Sequence, residues 1–428
     1  MKPPMRILPA VCFVALLALR SVPVYGQTPD DALFDAPEAG VAAEPAAPAV
    51  DVAGKFLGTE LKTSLFGELS TRATATWTED DPVLSQSLSL DLGLTARPDE
   101  NLRIGAKSSW SFDPGTETAS FHVSEAFADF QGGESAYFRV GKQFLSWGKG
   151  LYYSPADVLS LSVIDPADTG ASREGPTAFK ASLEAGALGT YQAVISTEAV
   201  MVGSDVTFSA LATWVVAGTE LAAGGFYQAS KDKSPRLFAT TVFRLLNLDW
   251  YTESVLLWGN DQNRVADNGL GGLVVETNDG NLLTQQTVGF SYSKDDSEKR
   301  FALSASGQYY YNGTGDGTHY VAGSLGLSKL GGSTFSVSCS GLDSLSEDSW
   351  QLSPRLGWVA SPDLTFAAGG TWYHGASKSE YAPLGALSSW QAEAKLYSHL
   401  TVTGTGPLPG SEDEIDPQLK VTFSGFAF

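Results

Sequence analysis

Cysteine, histidine, basic side chains and long apolar runs are all scarce in this sequence. Of its 428 residues two are cysteines, Cys12 and Cys339. Cys12 lies in an N-terminal stretch expected to be removed, which leaves one thiol and no internal disulfide to hold the fold. In the run Phe335, Val337, Cys339 that thiol shares an apolar face and reads as a small hydrophobe. Four histidines (His122, His319, His374, His399) stand at no ligand spacing with Cys, Asp or Glu. No G-x-S-x-G elbow or phosphate loop occurs either, so no enzyme, metal or cofactor is expected. Asn312-Gly313-Thr314-Gly315-Asp316-Gly317 reads as a hairpin turn and not a cation loop.

Lys and Arg number 27 against 48 Asp and Glu, a net charge of −21. Phosphate contacts need clustered cations, so nucleic acid is excluded as a partner. Beyond the N-terminus there is no apolar run of about 18 residues or more, and hence no spanning helix. What the N-terminus does hold is an export signal over residues 1–26. Lys2 and Arg6 precede the apolar stretch Ile7 to Leu19, and Val24-Tyr25-Gly26 places small residues at positions −3 and −1 of a cut before Gln27. Residues 27–55 follow as a tail rich in Ala, Pro and acids (Asp30, Asp31, Asp35, Glu38, Glu44, Asp51). Such a composition buries too little apolar surface to offset ordering, which predicts a disordered periplasmic spacer.

From Leu61 onward one unit recurs: a run of alternating apolar and small-polar residues, then a turn of Gly, Asp, Asn, Ser or Pro. Leu102, Ile104, Ala106, Trp110 and Phe112 show one face, and Arg103, Gly105, Lys107, Ser109, Ser111 and Asp113 the other. Period two means a β-strand with one apolar and one polar side. A soluble sandwich also alternates. Combined with export and the absence of a spanning helix, the pattern predicts an all-β chain whose residues 56–428 form a single transmembrane antiparallel up-and-down barrel. Candidate strands can be marked up to a final one at 417–428, one more than an even number allows. The surplus falls after Asp249, and a barrel of about 18 strands is expected, with 16 as the alternative.

Short connections at Gln131–Glu134, Ala187–Gly189, Asn247 and Ser361–Asp363 fit the turns of one rim. The stretches 144–175, 260–282 and 375–386 fit the long loops of the other. Tryptophans near strand ends (Trp77, Trp214, Trp258, Trp350, Trp372, Trp390) fit interfacial girdles. The chain ends on Phe426 and Phe428, which resemble the assembly signal read by the barrel-assembly machinery.

One segment breaks the rhythm: YFRVGKQFLSWGKGLYYSPADVLSLSVIDPADTGASREGPTAFKA, residues 137–181. Its Gly141-Lys142-Gln143, Trp147-Gly148-Lys149-Gly150, Pro155 with Asp157, Asp165-Pro166 and Arg173-Glu174-Gly175 resemble a porin-like, largely uncharacterised family of outer-membrane barrels. The run Glu125 to Phe130 and Tyr309-Tyr310-Tyr311-Asn312-Gly313 are also similar to that family. The resemblance implies an outer-membrane barrel and supplies no substrate.

An inserted loop at 144–175 exceeds hairpin length and is expected to be functional or packed. We expect it to fold into the lumen, with Trp147 as anchor. Two roles are open for Lys149, Asp157, Asp165, Arg173 and Glu174: an electrostatic filter at a constriction, or braces that hold the loop to the wall. On the strands, Arg103 and Lys107, Glu125 and Asp129, Tyr137 and Arg139, and Lys180 and Glu184 fall on polar faces. They are expected inside, as a cross-strand ladder of alternating sign. A Lys or Arg facing lipid at mid-bilayer would cost roughly 2–4 kcal/mol.

The expected function is an outer-membrane channel for small hydrophilic solutes or ions, its partners being outer-membrane lipid, the assembly machinery and those solutes. Net acidity leans toward cation preference. The alternatives are a transporter for a hydrophobic or saccharide ligand, for which Phe127, Tyr137, Tyr152 and Tyr153 would begin an aromatic track, and a closed structural or adhesion barrel.

Overall fold

The structure is a computed structural model and describes residues 60–425 apart from 78–82, 162–163, 167–172, 187–188, 198–205, 230–232, 260, 262–263, 268–272, 277–280, 297–300, 315–316, 376–378, 380, 382–387 and 408–417. Residues 1–59 and the terminal Phe426 and Phe428 lie outside the described residues, so the expectations for the export signal, the tail and the assembly signal fall there too.

The alternating runs become strands throughout. In chain order they are β1 Glu60–Trp77, β2 Val83–Asp99, β3 Leu102–Asp113, β4 Thr118–Gln131, β5 Ala136–Lys142, β6 Thr177–Glu184, β7 Thr190–Thr197, β8 Val206–Val216, β9 Thr219–Gln228, β10 Arg236–Leu245 and β11 Leu248–Trp258. After them come β12 Arg264–Asp267, β13 Leu273–Glu276, β14 Leu282–Asp296, β15 Phe301–Asn312, β16 Thr318–Ser328, β17 Phe335–Ser344, β18 Ser349–Ser361, β19 Leu364–Gly375, β20 Ser389–Pro407 and β21 Gln418–Gly425. Each strand of the main sheet pairs antiparallel with the next, β11 pairs with β14, and β20 returns to β1 through a ladder running from Glu60↔Pro407 to Trp77↔Trp390. The sheet thereby closes into an 18-strand antiparallel barrel with no helix in its wall.

Two details differ from the sequence reading. The expected loop 260–282 contains the hairpin β12–β13, which forms its own two-stranded sheet outside the ring. The surplus strand is the last one. β21 pairs with β20 alone, from Ser398↔Gly425 to Thr405↔Gln418, while β19 occupies the same edge of β20 from Ser389 to Leu396. At 19 residues β20 is long enough to carry two strands end to end on one edge. The ring therefore closes through β20, and β21 is an appendage to it.

The short connections gather at one rim, as strict up-and-down pairing requires. Two of them are tight hairpins. Leu246 and Asn247 (φ 57° and 61°) join β10 to β11, and Ala217 with Gly218 (φ 50° and 79°) join β8 to β9. Consecutive left-handed residues match the twist of the flanking strands. A β-bulge between Lys107 and Ser108 interrupts the β3–β4 ladder.

Alternation sorts the side chains between the two faces. On β7 to β11, Ile195, Phe208, Leu221, Tyr227, Leu237 and Leu256 are exposed on the outside. Their neighbours Val194, Leu211, Ala222, Phe226, Phe238, Val255 and Leu257 are buried on the inside. An apolar inner wall exists there because something apolar packs against it: Leu145, Trp147, Ala156, Val158 and Leu159 of the long connection between β5 and β6.

Candidate functional site

The β5–β6 connection enters the barrel and is fastened to its inner wall at a series of points. It leaves β5 at Gln143, whose buried side chain donates from Nε2 to the Ala178 carbonyl at 3.0 Å. Trp147 follows, buried against β7 to β10. Its Nε1 donates to Gln192 Oε1 at 3.1 Å, and its ring packs at 5.8 Å from Phe238. Deleting a ring packed in this way generally costs about 3–5 kcal/mol.

Glu253, on β11, is the central fastening. Its Oε1 accepts the backbone N–H groups of Lys149 and Gly150 and, at 2.9 Å, the Ser154 hydroxyl. Its Oε2 accepts the Ala156 N–H at 3.0 Å. A buried carboxylate is costly unless its lone pairs are satisfied, and here the segment wraps four donors around it. That wrap dictates the glycines of W-G-x-G. A Cβ on Gly148 would sit 1.7 Å from Ser154 Oγ, and one on Gly150 would sit 2.1 Å from the Tyr153 carbonyl oxygen.

Further along, Gln308 on β15 accepts the N–H groups of Leu151 and Tyr152 at 2.9 and 3.0 Å and donates to the Tyr153 carbonyl at 2.6 Å. Tyr251 reaches the same Gln308 oxygen at 2.9 Å. Tyr153 stacks on Tyr310 at 4.8 Å and lies 5.2 Å from Tyr320. Tyr152 joins Ala322, Leu342 and Tyr381 in a second buried cluster. The segment thus follows the inner wall from β6 as far as β17.

The charged residues of the segment divide. The Asp157 side chain is 4 % exposed and ion-paired with Arg173, whose guanidinium also lies 4.7 Å from the centre of the Phe144 ring. Burial raises the Asp157 carboxyl to about 6, against the opposing pull of Arg173. Glu174 accepts from Lys142, which lowers its pKa, and its carbonyl accepts the Leu161 N–H at 2.9 Å. Asp157 and Arg173 are thus paired with each other, and Glu174 is paired with Lys142. Asp165 is exposed. Lys149 alone among the five lines a lumen pocket, where its Nζ lies 2.8 Å from Glu220 of β9.

Arg103 stands opposite Asp129, Asp129 opposite Arg139, and Arg139 opposite Lys180. Arg103 Nη2 lies 2.6 Å from Asp129 Oδ2, and Arg139 Nε lies 2.6 Å from Asp129 Oδ1. Both guanidinium groups flank the Phe127 ring, at 5.6 and 4.1 Å from its centre. Lys107 lies opposite Glu125, with Nζ 3.1 Å from the carboxylate. Glu184 does not join this group. It is exposed at the rim, where β6 turns into β7.

The pocket beneath the segment has a volume of about 340 Å³ and is lined from the wall by Lys107, Glu125, Arg139, Lys180 and Glu220 and from the segment by Lys149. A second pocket, of about 360 Å³, lies on β17 to β20 among Ser338, Ser340, Ser353, Thr371, Gln351 and Gln391. There the charges are Arg355 and Glu393, 3.2 Å apart. The first pocket is thus rich in charges, and the second is lined mainly by hydroxyl and amide groups. Sequence reasoning missed Glu253, Gln308 and Glu220. Glu253 was findable as an acid in the middle of an inward face, between Tyr251 and Val255. Gln308 gave no such signal.

No protein-family model matches the chain, and no curated protein matches it. Among solved structures it is similar to OccAB1 of Acinetobacter baumannii (TM-score 0.49, 12% identity, covering 80% of this chain and 96% of that one). It is also similar to Pseudomonas aeruginosa OccK2 (OpdF), solved in complex with glucuronate (TM-score 0.48, 12% identity, covering 79% and 97%). A third likeness is to a mutant of the Rh. blastica porin (TM-score 0.42, 12% identity, covering 78% and 99%).

Proposed function

We propose that this chain forms a water-filled, porin-like channel of the outer membrane, exported by its residues 1–26, through which small hydrophilic solutes or ions diffuse. The observation that carries this reading is the sorting of side chains across the wall. Large apolar residues such as Leu94, Ile104, Val140 and Phe179 are exposed on the outside, while Arg, Lys, Glu, Ser and Thr line the inside of a closed ring. A closed ring leaves no edge in lipid. With about 16–18 strands a barrel encloses an aqueous lumen that side chains alone do not fill. A segment fastened along β6 to β17 narrows that lumen from one side. The aromatic track needed for a hydrophobic-ligand transporter has little support, because Phe127 is covered by Arg139 and Tyr152 is buried between the segment and the wall.

Single-channel recording in planar bilayers tests the reading. Purified protein that migrates as a folded barrel is expected to give stepwise, ohmic currents in simple salt. Folded protein that inserts and passes no current would overturn it in favour of a closed structural barrel.

A further inference from the structure

The lumen wall from β15 to β20 carries an unbroken row of hydroxyl groups. At one level across the strands, Ser306 faces Ser324, Ser324 faces Ser340, and Ser340 faces Ser353. The Ser353 hydroxyl donates to that of Thr371 at 3.2 Å, and Thr371 faces Ser389. Six consecutive strands thus give one hydroxyl each, over about 24 Å at the usual strand spacing. The row begins under the inserted segment, where the Tyr152 hydroxyl lies 2.7 Å from that of Ser306. Serine and threonine pairs opposite each other support a sheet, which accounts for Ser306 and Ser324, 2.9 Å apart. Sheet support does not account for the pocket that opens beside the row on β17 to β20.

That pocket has a volume of about 360 Å³, within the range of small-molecule sites. Its floor is the inner face of β19, where Ala367 and Gly369 project a single methyl group between them. Arg355 of β18 and Gln391 and Glu393 of β20 flank the floor, and Gln351 with Tyr373 closes one end. Among the described residues, the Ser338 and Ser340 hydroxyls and the Gln391 carboxamide make no side-chain hydrogen bond, so their capacity is turned to the lumen. The two charged groups of the lining, Arg355 and Glu393, pair with each other at 3.2 Å, and Arg72 lies 3.6 Å from the same carboxylate. Charge in the lining is therefore engaged within the wall, and recognition falls to hydroxyl and amide groups. Each of these both donates and accepts. A solute that does the same at every carbon is a polyol.

We infer that the β17–β20 pocket is a binding site for small neutral polyols, monosaccharides included, with Ser338, Ser340 and Gln391 as its contacts and the hydroxyl row as a track leading to it from the inserted segment. The inference rests on the channel reading for its route of entry and deepens it by naming a class of solute. Hydrogen-bond donors and acceptors on a lumen wall select by replacing the water that a solute gives up. A site built to hydrogen-bond hydroxyl groups discriminates against an analogue that lacks them, because its own polar groups are then left unpaired.

myo-Inositol and cis-1,2-cyclohexanediol share a six-carbon ring, differ in how many hydroxyl groups it carries, and serve as the probe pair. Three proteins are compared: wild type, Ser338→Ala with Gln391→Leu, and Ser111→Ala with Ser120→Ala, which removes a bonded hydroxyl pair from β3 and β4, outside the pocket. Ligand-observed NMR titration of the folded protein in detergent is expected to give wild type an affinity for myo-inositol about tenfold above that for the diol. The β3–β4 variant should match wild type. Ser338→Ala with Gln391→Leu should lower the myo-inositol affinity about tenfold and leave that for the diol unchanged. In planar bilayers myo-inositol is expected to reduce the wild-type KCl current more than the diol does, and the pocket variant should lose the difference. Equal affinities of wild type for the two probes, or equal losses in the two double variants, would overturn the polyol site and leave a conducting channel standing. Absence of current from protein that keeps the probe preference would overturn the channel and support the site. The wild-type probe comparison needs no substitution, so a variant that fails to fold leaves the test intact.

Discussion

Glu253 on the barrel wall accepts the backbone N–H of Ala156 at 3.0 Å with one carboxylate oxygen, while the other takes those of Lys149 and Gly150 and the Ser154 hydroxyl. The four donors come from eight consecutive residues of the inserted segment, so one side chain fixes the course of the whole turn. A carboxamide cannot replace it, because its NH₂ would face N–H groups. Glu253→Gln should therefore loosen the segment by about 2–4 kcal/mol while the ring of strands persists. Limited proteolysis within 146–160 and a larger unitary conductance, with unchanged heat-modifiable mobility on gels, would show it.

The glycines of the same turn predict a graded series. Gly150→Ala places a methyl group against the Tyr153 carbonyl, which has no way to yield, so it should resemble Glu253→Gln. Gly148→Ala places its methyl first against the Ser154 hydroxyl, a movable group. Ser154→Ala should therefore partly rescue Gly148→Ala and leave Gly150→Ala unchanged, read by the same proteolysis.

Asp157 gives the segment a pH dependence. Its folded pKa, about 6, lies above the usual carboxylate value, so the folded state binds the proton more tightly than the unfolded one. The resulting stabilisation is full below about pH 4 and is lost as pH rises through 6, amounting to about 3 kcal/mol. Hydrogen exchange of the Leu151 and Tyr152 amides, taken as wild type minus Asp157→Asn at each pH, should show greater protection at pH 4 than at pH 7. A difference that does not change with pH would show that Arg173 compensates the charge completely.

Asp129 bridges Arg103 and Arg139. Asp129→Asn keeps the shape and removes the bridge charge between the two guanidinium groups on the lumen wall. The expected outcome is a shift of the reversal potential toward anions, with a loss of stability of about 3 kcal/mol in denaturant titration.

Because the ring closes between β1 and β20, removal of β21 should leave a barrel. A chain ending at Pro407 is expected to refold in detergent micelles with the β-sheet signal and gel mobility of the full barrel. If Phe426 and Phe428 act as the assembly signal, the same truncation will fail to reach the outer membrane in cells. Loss of refolding in micelles would show instead that β21 supports the closure.

The period-two alternation determined most of this architecture on its own. Side chains on a strand have two directions to point, so a run such as Leu102 to Asp113 can satisfy both lipid and water only as a wall between them. For the same reason Arg103, Asp129, Arg139 and Lys180 were readable as an inward row: each lies at a fixed parity from its apolar neighbours, and hairpins set the register between them. Parity also required that one of the marked strands lie outside the ring. Which strand it was depended on the length of β20, an edge shared by β19 and β21, and no local pattern reports sharing. The inserted segment was legible as a break in the rhythm, and its course was not. Glu253, Gln308 and Tyr310 lie some 100 to 160 residues from the donors and rings they meet. Their contacts exist only once the barrel has closed and brought β11 and β15 to the same side of the lumen. Tertiary structure alone decided that Asp157 pairs with Arg173, Glu174 with Lys142 and Lys149 with Glu220, because each partner lies on another element or far along the chain. Sequence names the charge and its side of the wall, and folding supplies the partner.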